Sequence, residues 1–253
     1  CGCFGDAIKL TPWESFFKDI VLLILISFLF YFRKDLSTKN PKWASYSVVI
    51  SLLLSLGMAV YAIENLPFID FRAYKIGVNI PVNMQPSAPM VYTYVMKKGE
   101  EVVYLDQYPT DEGYEFVEMT LNNPEALPKI SDFAAWNPTG DQAEYLFQGN
   151  KVILLSSNLS KMSSENLDQL TQLFTSLEKA PVDLVFMAAA TQEEIDAVIA
   201  KYGWKIQGLQ ADATVVKTIM RANPGIMILK NGVVVQKYHH NNTPEALEVL
   251  ELF

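Results

Sequence analysis

Two long apolar runs near the start of the chain constrain its fold more than any other feature. The first covers residues 13–32 and is unbroken by polar side chains after Asp19 except at Ser27. The second covers residues 44–63, carries no charged side chain and is rich in serine. A helix needs about 20 apolar residues to cross the hydrocarbon core of a bilayer, and small residues let such helices approach closely. We therefore predict two membrane-spanning helices. The alternative, two buried helices of a soluble protein, requires a core large enough to cover both.

The loop between the two runs predicts their orientation. Four basic residues lie in or beside it, against one acidic residue: Arg33, Lys34, Lys39 and Lys42 against Asp35. Loops enriched in lysine and arginine remain on the cytoplasmic side of a membrane. Both helices then emerge on the opposite side, so the residues before the first run and all residues after Glu64 are expected outside.

Both cysteines of the chain lie in its first three residues, a few positions before the first apolar run. A disulfide between Cys1 and Cys3 would close a very small strained ring, and strained disulfides are the more easily reduced ones. The alternative is a pair of free or metal-bound thiols. Metal binding is disfavoured because no second cysteine pair or nearby histidine completes a tetrahedral site. Cys1 and Cys3 are therefore the candidate catalytic residues, as a redox pair on the side where thiols can be oxidised.

Composition excludes one class of function. The net charge is -8, and no stripe of basic residues with interleaved aromatics is present, which argues against nucleic-acid binding. The chain lacks an initiating methionine and a signal-peptide pattern, so we expect it to be a fragment of a longer protein.

We predict three regions with different patterns. Residues 1–66 form the membrane region, residues 67–127 a strand-rich connector and residues 128–253 an α/β domain. In the connector, prolines interrupt any helix, and short alternating runs predict three strands. These runs are Val91–Met96, Val102–Leu105 and Tyr114–Thr120, with a turn at Lys98-Gly99.

Strands and helices alternate in the last region, which is typical of a layered α/β domain. The predicted strands are Val152–Ser157, Val182–Met187 and Ile206–Leu209, followed by a hairpin of Ile226–Lys230 and Val233–His239 around an Asn-Gly turn. The predicted helices begin at a Ser163 or Ser164 cap, at the Thr191 capping box, near Thr214 and at Thr243-Pro244. His239 and His240 are neighbours on a predicted strand, so we expect them to point to opposite faces, as surface residues that share no metal.

The α/β region resembles the thioredoxin-like fold, in its membrane-tethered periplasmic thiol-reductase and peroxiredoxin branch. The resemblance is carried by residues 128–133, by Gly140-Asp141, by Tyr202-Gly203 with Asp212, and by residues 223–232. It implies a cis proline at Pro224 and a partner-binding loop of Asn223, Pro224 and Gly225. The catalytic Cys-x-x-Cys of that fold should fall at residues 161–164, which read Lys-Met-Ser-Ser. Without a thiolate nucleophile this domain cannot carry out disulfide exchange, so we expect a catalytically silent binding module.

The membrane region resembles the DoxX and methylamine-utilisation MauE group of bacterial membrane proteins. The resemblance is carried by Cys1-Gly2-Cys3-Phe4-Gly5 before a helix containing Trp13, Phe17, Lys18 and Asp19. It implies a bacterial inner-membrane location with the C-terminal domain in the periplasm. It also implies a role in maturation of disulfide-containing periplasmic proteins or in electron transfer to quinone. The fused thioredoxin-like tail looks like a version found in Bacteroidetes-type bacteria.

Two functions of different class are compatible with these patterns. In the first, Cys1 and Cys3 cycle between dithiol and disulfide, quinone is the implied electron acceptor, and the outer domain selects periplasmic cysteine-containing partners. In the second, the chain is a non-enzymatic membrane scaffold that binds or assembles envelope proteins. The lipid bilayer is a partner in both. No bound cofactor is identified from the residues.

Overall fold

The structure is a computed structural model that describes residues 10–34 and 42–253. The helices are α1 Pro12–Tyr31, α2 Lys42–Glu64, α3 Ile80–Asn83, α4 Ala143–Leu146, α5 Leu167–Leu177, α6 Gln192–Tyr202, α7 Ala213–Ile219 and α8 Ala246–Glu251. The strands are β1 Tyr92–Lys98, β2 Glu101–Leu105, β3 Glu115–Leu121, β4 Trp136–Asn137, β5 Gly140–Asp141, β6 Asn150–Ser156, β7 Asp183–Ala188, β8 Gln207–Gln210, β9 Gly225–Lys230 and β10 Val233–His239. The chain divides into two compact units, Cys1–Arg72 and Ala73–Phe253.

The first unit contains α1 and α2, which coincide closely with the two predicted helices. A capping box starts α1, because Glu14 N donates to Thr11 Oγ1 at 3.4 Å and Thr11 N donates to Glu14 Oε2 at 2.7 Å. Pro12 occupies the first turn, where its missing N–H leaves no helical bond unmade. The predicted cytoplasmic loop falls largely on residues 35–41, which lie outside the described residues.

Among the described helices, α2 alone is long and apolar enough to cross a membrane. Its stretch Ser45–Glu64 has a mean hydropathy of 2.0, and none of it is buried. In α1, by contrast, Glu14, Lys18 and Asp19 interrupt the apolar character of the first half. Lys18 Nζ lies 3.2 Å from Asp19 Oδ1. Among the described helices, one is therefore long and apolar enough to cross a membrane. The crossing of a bilayer by either α1 or α2 remains a prediction.

The second unit begins with a three-stranded antiparallel sheet in the order β2-β1-β3. It corresponds to the three strands predicted for the connector. Tyr94 pairs with Leu105 and Met119, so apolar side chains of all three strands share one face. The predicted region boundaries after residues 66 and 127 remain predictions.

A seven-stranded sheet in the order β10-β9-β6-β7-β8-β4-β5 forms the centre of the second unit. Strands β6, β7 and β8 run parallel, whereas β9 pairs antiparallel with β6 and with β10. Asn231 and Gly232 both have positive φ, 49° and 76°, as a tight hairpin turn requires. The residues before α3 pair with the outer side of β10 through an Asn79–Val233 bridge, which protects that edge strand. The short hairpin of β4 and β5 was not predicted.

The core is built from alternate side chains of the central strands. Val152, Leu154, Phe186, Ile226 and Ile228 form one cluster with the buried face of α5. That face consists of Leu167, Leu170, Leu173, Phe174 and Leu177. Side chains alternate across a strand, so the intervening residues of β6 and β9 face the other side, where they are also fully buried. Burial on both faces is characteristic of a sheet covered by helices on both sides.

Two predicted helix starts are wrong, and each has a local cause. The N-cap of α5 is Asn166, at φ 61°, rather than Ser163 or Ser164. Ser163 does not cap α5, because its Oγ accepts a hydrogen bond from Glu165 N, before the helix begins, at 3.2 Å. The last helix begins at Ala246 rather than at Pro244. Thr243 Oγ1 donates to His240 O at 2.9 Å, so Thr243 closes the preceding turn instead of capping a helix.

Candidate functional site

The segment that replaces the expected dithiol lies between β6 and α5. Residues Leu159–Lys161 form a short 3-10 helix whose N-cap is Asn158. Asn158 Oδ1 accepts bonds from Lys161 N at 3.2 Å and from Ser160 Oγ at 2.7 Å. Polar side chains of this type favour such caps because they satisfy backbone N–H groups that have no helical partner. The side chains of Lys161 and Ser164 are exposed.

Facing this segment is the loop of residues 222–225, which we call the Pro224 loop. The Asn223–Pro224 peptide bond is cis, as predicted from the resemblance. The Asn223 side chain makes two bonds: Ser156 Oγ donates to its Oδ1 at 2.8 Å, and its Nδ2 donates to Asn158 O at 2.8 Å. A third bond runs from Ser163 N to Asn223 O at 2.9 Å. Asn223 thus fixes the end of β6 and the replacement segment to the Pro224 loop.

The residues at this site include no thiol. The sequence contains no cysteine after Cys3. Among the described residues, no histidine or carboxylate side chain hydrogen-bonds to Ser163 or Ser164. A hydroxyl without an adjacent base is a weak nucleophile.

The predicted partner-binding residues differ in their accessibility. Asn223 is partly exposed, whereas Pro224 and Gly225 are buried. A Cβ on Gly225 would lie 2.3 Å from Met220 Cγ, so this position is glycine because Met220 packs against it. Of the three residues, Asn223 is therefore the one whose side chain reaches the surface.

The structure corrects the prediction for His239 and His240. Both are buried, with 5% and 8% of their surface exposed, and their ring centroids lie 4.1 Å apart. They do not point to opposite faces, because β10 ends at His239 and His240 begins a 3-10 helix. Alternation in the sequence of β10 gave no signal for this burial, because the buried Lys237 and His239 are polar and flank Tyr238, which is only partly buried.

Hydrogen bonds assign a different role to each ring. His240 Nδ1 lies 3.0 Å from Pro224 O, and since a carbonyl only accepts, Nδ1 must carry the proton. His239 Nδ1 accepts from Asn241 N at 3.2 Å, so its proton is on Nε2 when the ring is neutral. Burial, and then the adjacent His240, lower the pKa of His239 to about 4. His240 therefore contacts the Pro224 loop directly through Pro224 O, and the His239 ring packs against the His240 ring.

A second polar cluster lies at the start of β6 and β7 and was missed from sequence. Buried Lys151 places its Nζ 2.5 Å from Asp183 Oδ2 and 4.1 Å from the centre of the Tyr145 ring. Burial and the Asp183 carboxylate raise the pKa of Tyr145 to about 12. Lys151 and Asp183 pair in register across the parallel strands, so this arrangement holds the two strand ends together.

The candidate redox pair, Cys1 and Cys3, lies outside the described residues. Within residues 10–34 and 42–253, no cluster of three or more histidine, cysteine, aspartate or glutamate side chains is arranged to hold a metal ion.

Comparisons with known proteins give a short sequence match and several low-scoring fold matches. No family model matches the chain. Protein TlpB of Flavobacterium psychrophilum is 30% identical over 56 residues, which span 22% of this chain and only 15% of that protein. A thiol-disulfide oxidoreductase from Bacteroides fragilis is 14% identical, with a TM-score of 0.36 over 48% of this chain and 97% of that one. A thioredoxin-like protein from Aeropyrum pernix is 13% identical, with a TM-score of 0.37 over 48% of this chain and 87% of that one.

The fold class follows from the arrangement of the second unit itself. A parallel β6-α5-β7 unit is followed by an antiparallel β9-β10 hairpin and a final helix, with a cis proline directly before β9. The α/β part of the chain is thus thioredoxin-like, as predicted.

Proposed function

We propose that this chain is a membrane-anchored protein in which Cys1 and Cys3 carry out thiol–disulfide exchange at the periplasmic face, while the thioredoxin-like domain binds partners. One observation carries the division of roles. The domain has the cis-proline loop of its fold, but the facing position holds Lys161 to Ser164 in place of a dithiol. Thiol exchange requires an attacking and a leaving sulfur, and the chain has only the pair at its start.

Anchoring is supported by α2, whose large apolar side chains are exposed along its whole length. A soluble monomer rarely exposes a contiguous apolar patch of this size. The basic residues between α1 and α2 favour a cytoplasmic loop. The Cys1-Gly2-Cys3-Phe4-Gly5 resemblance to the DoxX and MauE group is in keeping with the same topology and with quinone as the final electron acceptor.

The binding role of the domain is supported by the accessible groups around Asn223. The Asn223 side chain is partly exposed beside the segment that replaces the dithiol, where its Nδ2 donates to Asn158 O at 2.8 Å. We propose periplasmic cysteine-containing proteins as the partners, docked at the Pro224 loop. A scaffold without redox activity is the second candidate, favoured by the missing dithiol of the domain.

Thiol labelling of the purified full chain in lipid nanodiscs tests the proposal. The redox state of Cys1 and Cys3 is read with a maleimide of known mass after treatment with oxidant, reductant or a soluble quinone. We expect oxidant and quinone to remove two labelled thiols per chain, and reductant to restore them. A pair that stays reduced under oxidant and quinone would favour the scaffold. The Cys1→Ser variant is the matched control, since a single thiol cannot close the ring.

A further inference from the structure

The short segment that follows α2 is unusually apolar on its surface. Residues 67–71, which we call the interfacial segment, expose three large apolar side chains: Phe68 at 73%, Ile69 at 66% and Phe71 at 55%. The backbone here is neither helix nor strand. A loop in contact with water is normally polar, and a clustered apolar surface of this kind marks a contact with a protein or a membrane.

Stacking fixes the position of this segment relative to α2. The rings of Phe68 and Tyr61 are parallel, with centroids 4.1 Å apart and planes inclined by 5°. Tyr61 lies in the last turn of α2, where Asn65 N donates to Tyr61 O at 2.9 Å. The chain therefore turns after the helix so that Phe68 returns beside its last turn. The exposed apolar surface of α2 continues directly into the interfacial segment.

The charges at the end of the segment neutralise each other. Arg72 Nε donates to Asp70 Oδ1 at 2.7 Å, and Arg72 Nη2 donates to Asp70 Oδ2 at 2.9 Å. A bidentate pair of this geometry presents little net charge. It removes the electrostatic cost that an isolated carboxylate or guanidinium would add near lipid.

We propose that Phe68, Ile69 and Phe71 insert at the boundary between lipid headgroups and acyl chains, on the side where α2 leaves the bilayer. The inference rests on the proposed membrane crossing of α2. Phenylalanine and aliphatic side chains of surface-bound segments are buried at this boundary, and the apolar area buried there adds to anchoring. Lipid is the occupant that continuity with α2 indicates, because Phe68 stacks on Tyr61 of that helix and no charged residue lies between Glu64, the last residue of α2, and Asp70.

Depth-dependent fluorescence quenching tests this placement in the full chain. Starting from the Cys1→Ser, Cys3→Ser double variant, single cysteines are introduced by Ile69→Cys or Phe71→Cys and labelled with an environment-sensitive fluorophore. The protein is placed in phosphatidylcholine nanodiscs with or without lipids that are spin-labelled near the headgroup. Tyr104→Cys is the matched control, since Tyr104 is equally exposed, at 71%, on the three-stranded sheet. Leu54→Cys, with lipids spin-labelled deep in the acyl chain, reports whether α2 crosses the bilayer.

We expect several-fold quenching at residues 69 and 71 and none at residue 104. Quenching at residue 54 without quenching at 69 and 71 would overturn the inference and leave the membrane crossing intact. Absence of quenching at residue 54 would overturn the crossing and the inference together. The fluorophores at residues 69 and 71 could instead be shielded from water equally in a detergent micelle and in nanodiscs, with no response to the spin label. That result would show that protein covers the segment, and it would also overturn the inference.

Discussion

The backbone N–H of Ser163 donates to the carbonyl oxygen of Asn223 at 2.9 Å, so the segment that replaces a dithiol is bonded directly to the loop before the cis proline. The Asn223 side chain reinforces this contact through two further hydrogen bonds. Its Oδ1 accepts from Ser156 Oγ, and its Nδ2 donates to Asn158 O. The site is therefore a pre-organised polar surface, consistent with binding by a fixed loop.

Asn223→Ala should destabilise the second unit by about 1–3 kcal/mol, because two partly buried side-chain bonds are lost and Ser156 Oγ loses its acceptor. Chemical denaturation of the full chain in detergent, followed by fluorescence of the buried Trp204, measures this change. Asn122→Ala is the control, since it removes an exposed side-chain bond to Thr93 and should change stability by less than about 0.5 kcal/mol. Equal stability of both variants would contradict the assigned role of Asn223.

His239 should make the stability of the domain depend on pH. Its pKa is about 4 in the folded chain and about 6.5 when unfolded, so the unfolded state binds the proton more readily. The contribution of His239 to the stability of the folded domain is complete above about pH 6.5 and is lost progressively as the pH falls towards 4. In His239→Asn, the side-chain oxygen can still accept from Asn241 N without titrating. Denaturation midpoints between these pH values should therefore fall less in the variant, and parallel curves would contradict the assignment.

Local signals in the sequence predicted those elements whose geometry depends on neighbouring residues alone. The Thr191 capping box starts α6, with Glu194 N bonded to Thr191 Oγ1, and the Asn231-Gly232 turn joins β9 to β10. The features that were not predicted depend on contacts between residues far apart in the sequence. Ser163 could not be recognised as a partner of Asn223, which lies 60 residues away in sequence. The burial of His239 and His240 depends on how the end of β10 packs. Alternation along the strand does not predict that packing.

The ion pair at the start of β6 and β7 gives a third prediction. Asp183→Asn should destabilise the domain by about 1–3 kcal/mol, because the buried Lys151 ammonium loses its counter-charge. Denaturant titration measures the change, and adding Lys151→Met to that variant should recover part of the loss. Glu178→Gln is the control: it removes the pair with the exposed Lys205, and such pairs contribute about 0–1 kcal/mol. A larger loss in the control than in Asp183→Asn would contradict this account.

Topology can be tested at a position in the predicted cytoplasmic loop. In the Cys1→Ser, Cys3→Ser double variant, Ser37→Cys should resist a membrane-impermeant thiol reagent added outside intact cells and react once the cells are opened. A cysteine introduced by Tyr104→Cys should react in both conditions. Labelling of Ser37→Cys from outside would reverse the predicted orientation.

One rate tests the division of roles between the cysteine pair and the domain most directly. It is the rate at which the full chain, in quinone-containing nanodiscs, oxidises a reduced dithiol peptide. Because only Cys1 and Cys3 can supply the attacking and leaving sulfurs, Cys1→Ser and Cys3→Ser should each reduce the rate to background. Lys161→Ala and Ser164→Ala should leave it nearly unchanged. Loss of oxidation in Lys161→Ala, with the domain still folded, would show that the thioredoxin-like domain takes part in the chemistry. Full oxidation in both cysteine variants would contradict the redox role of the pair.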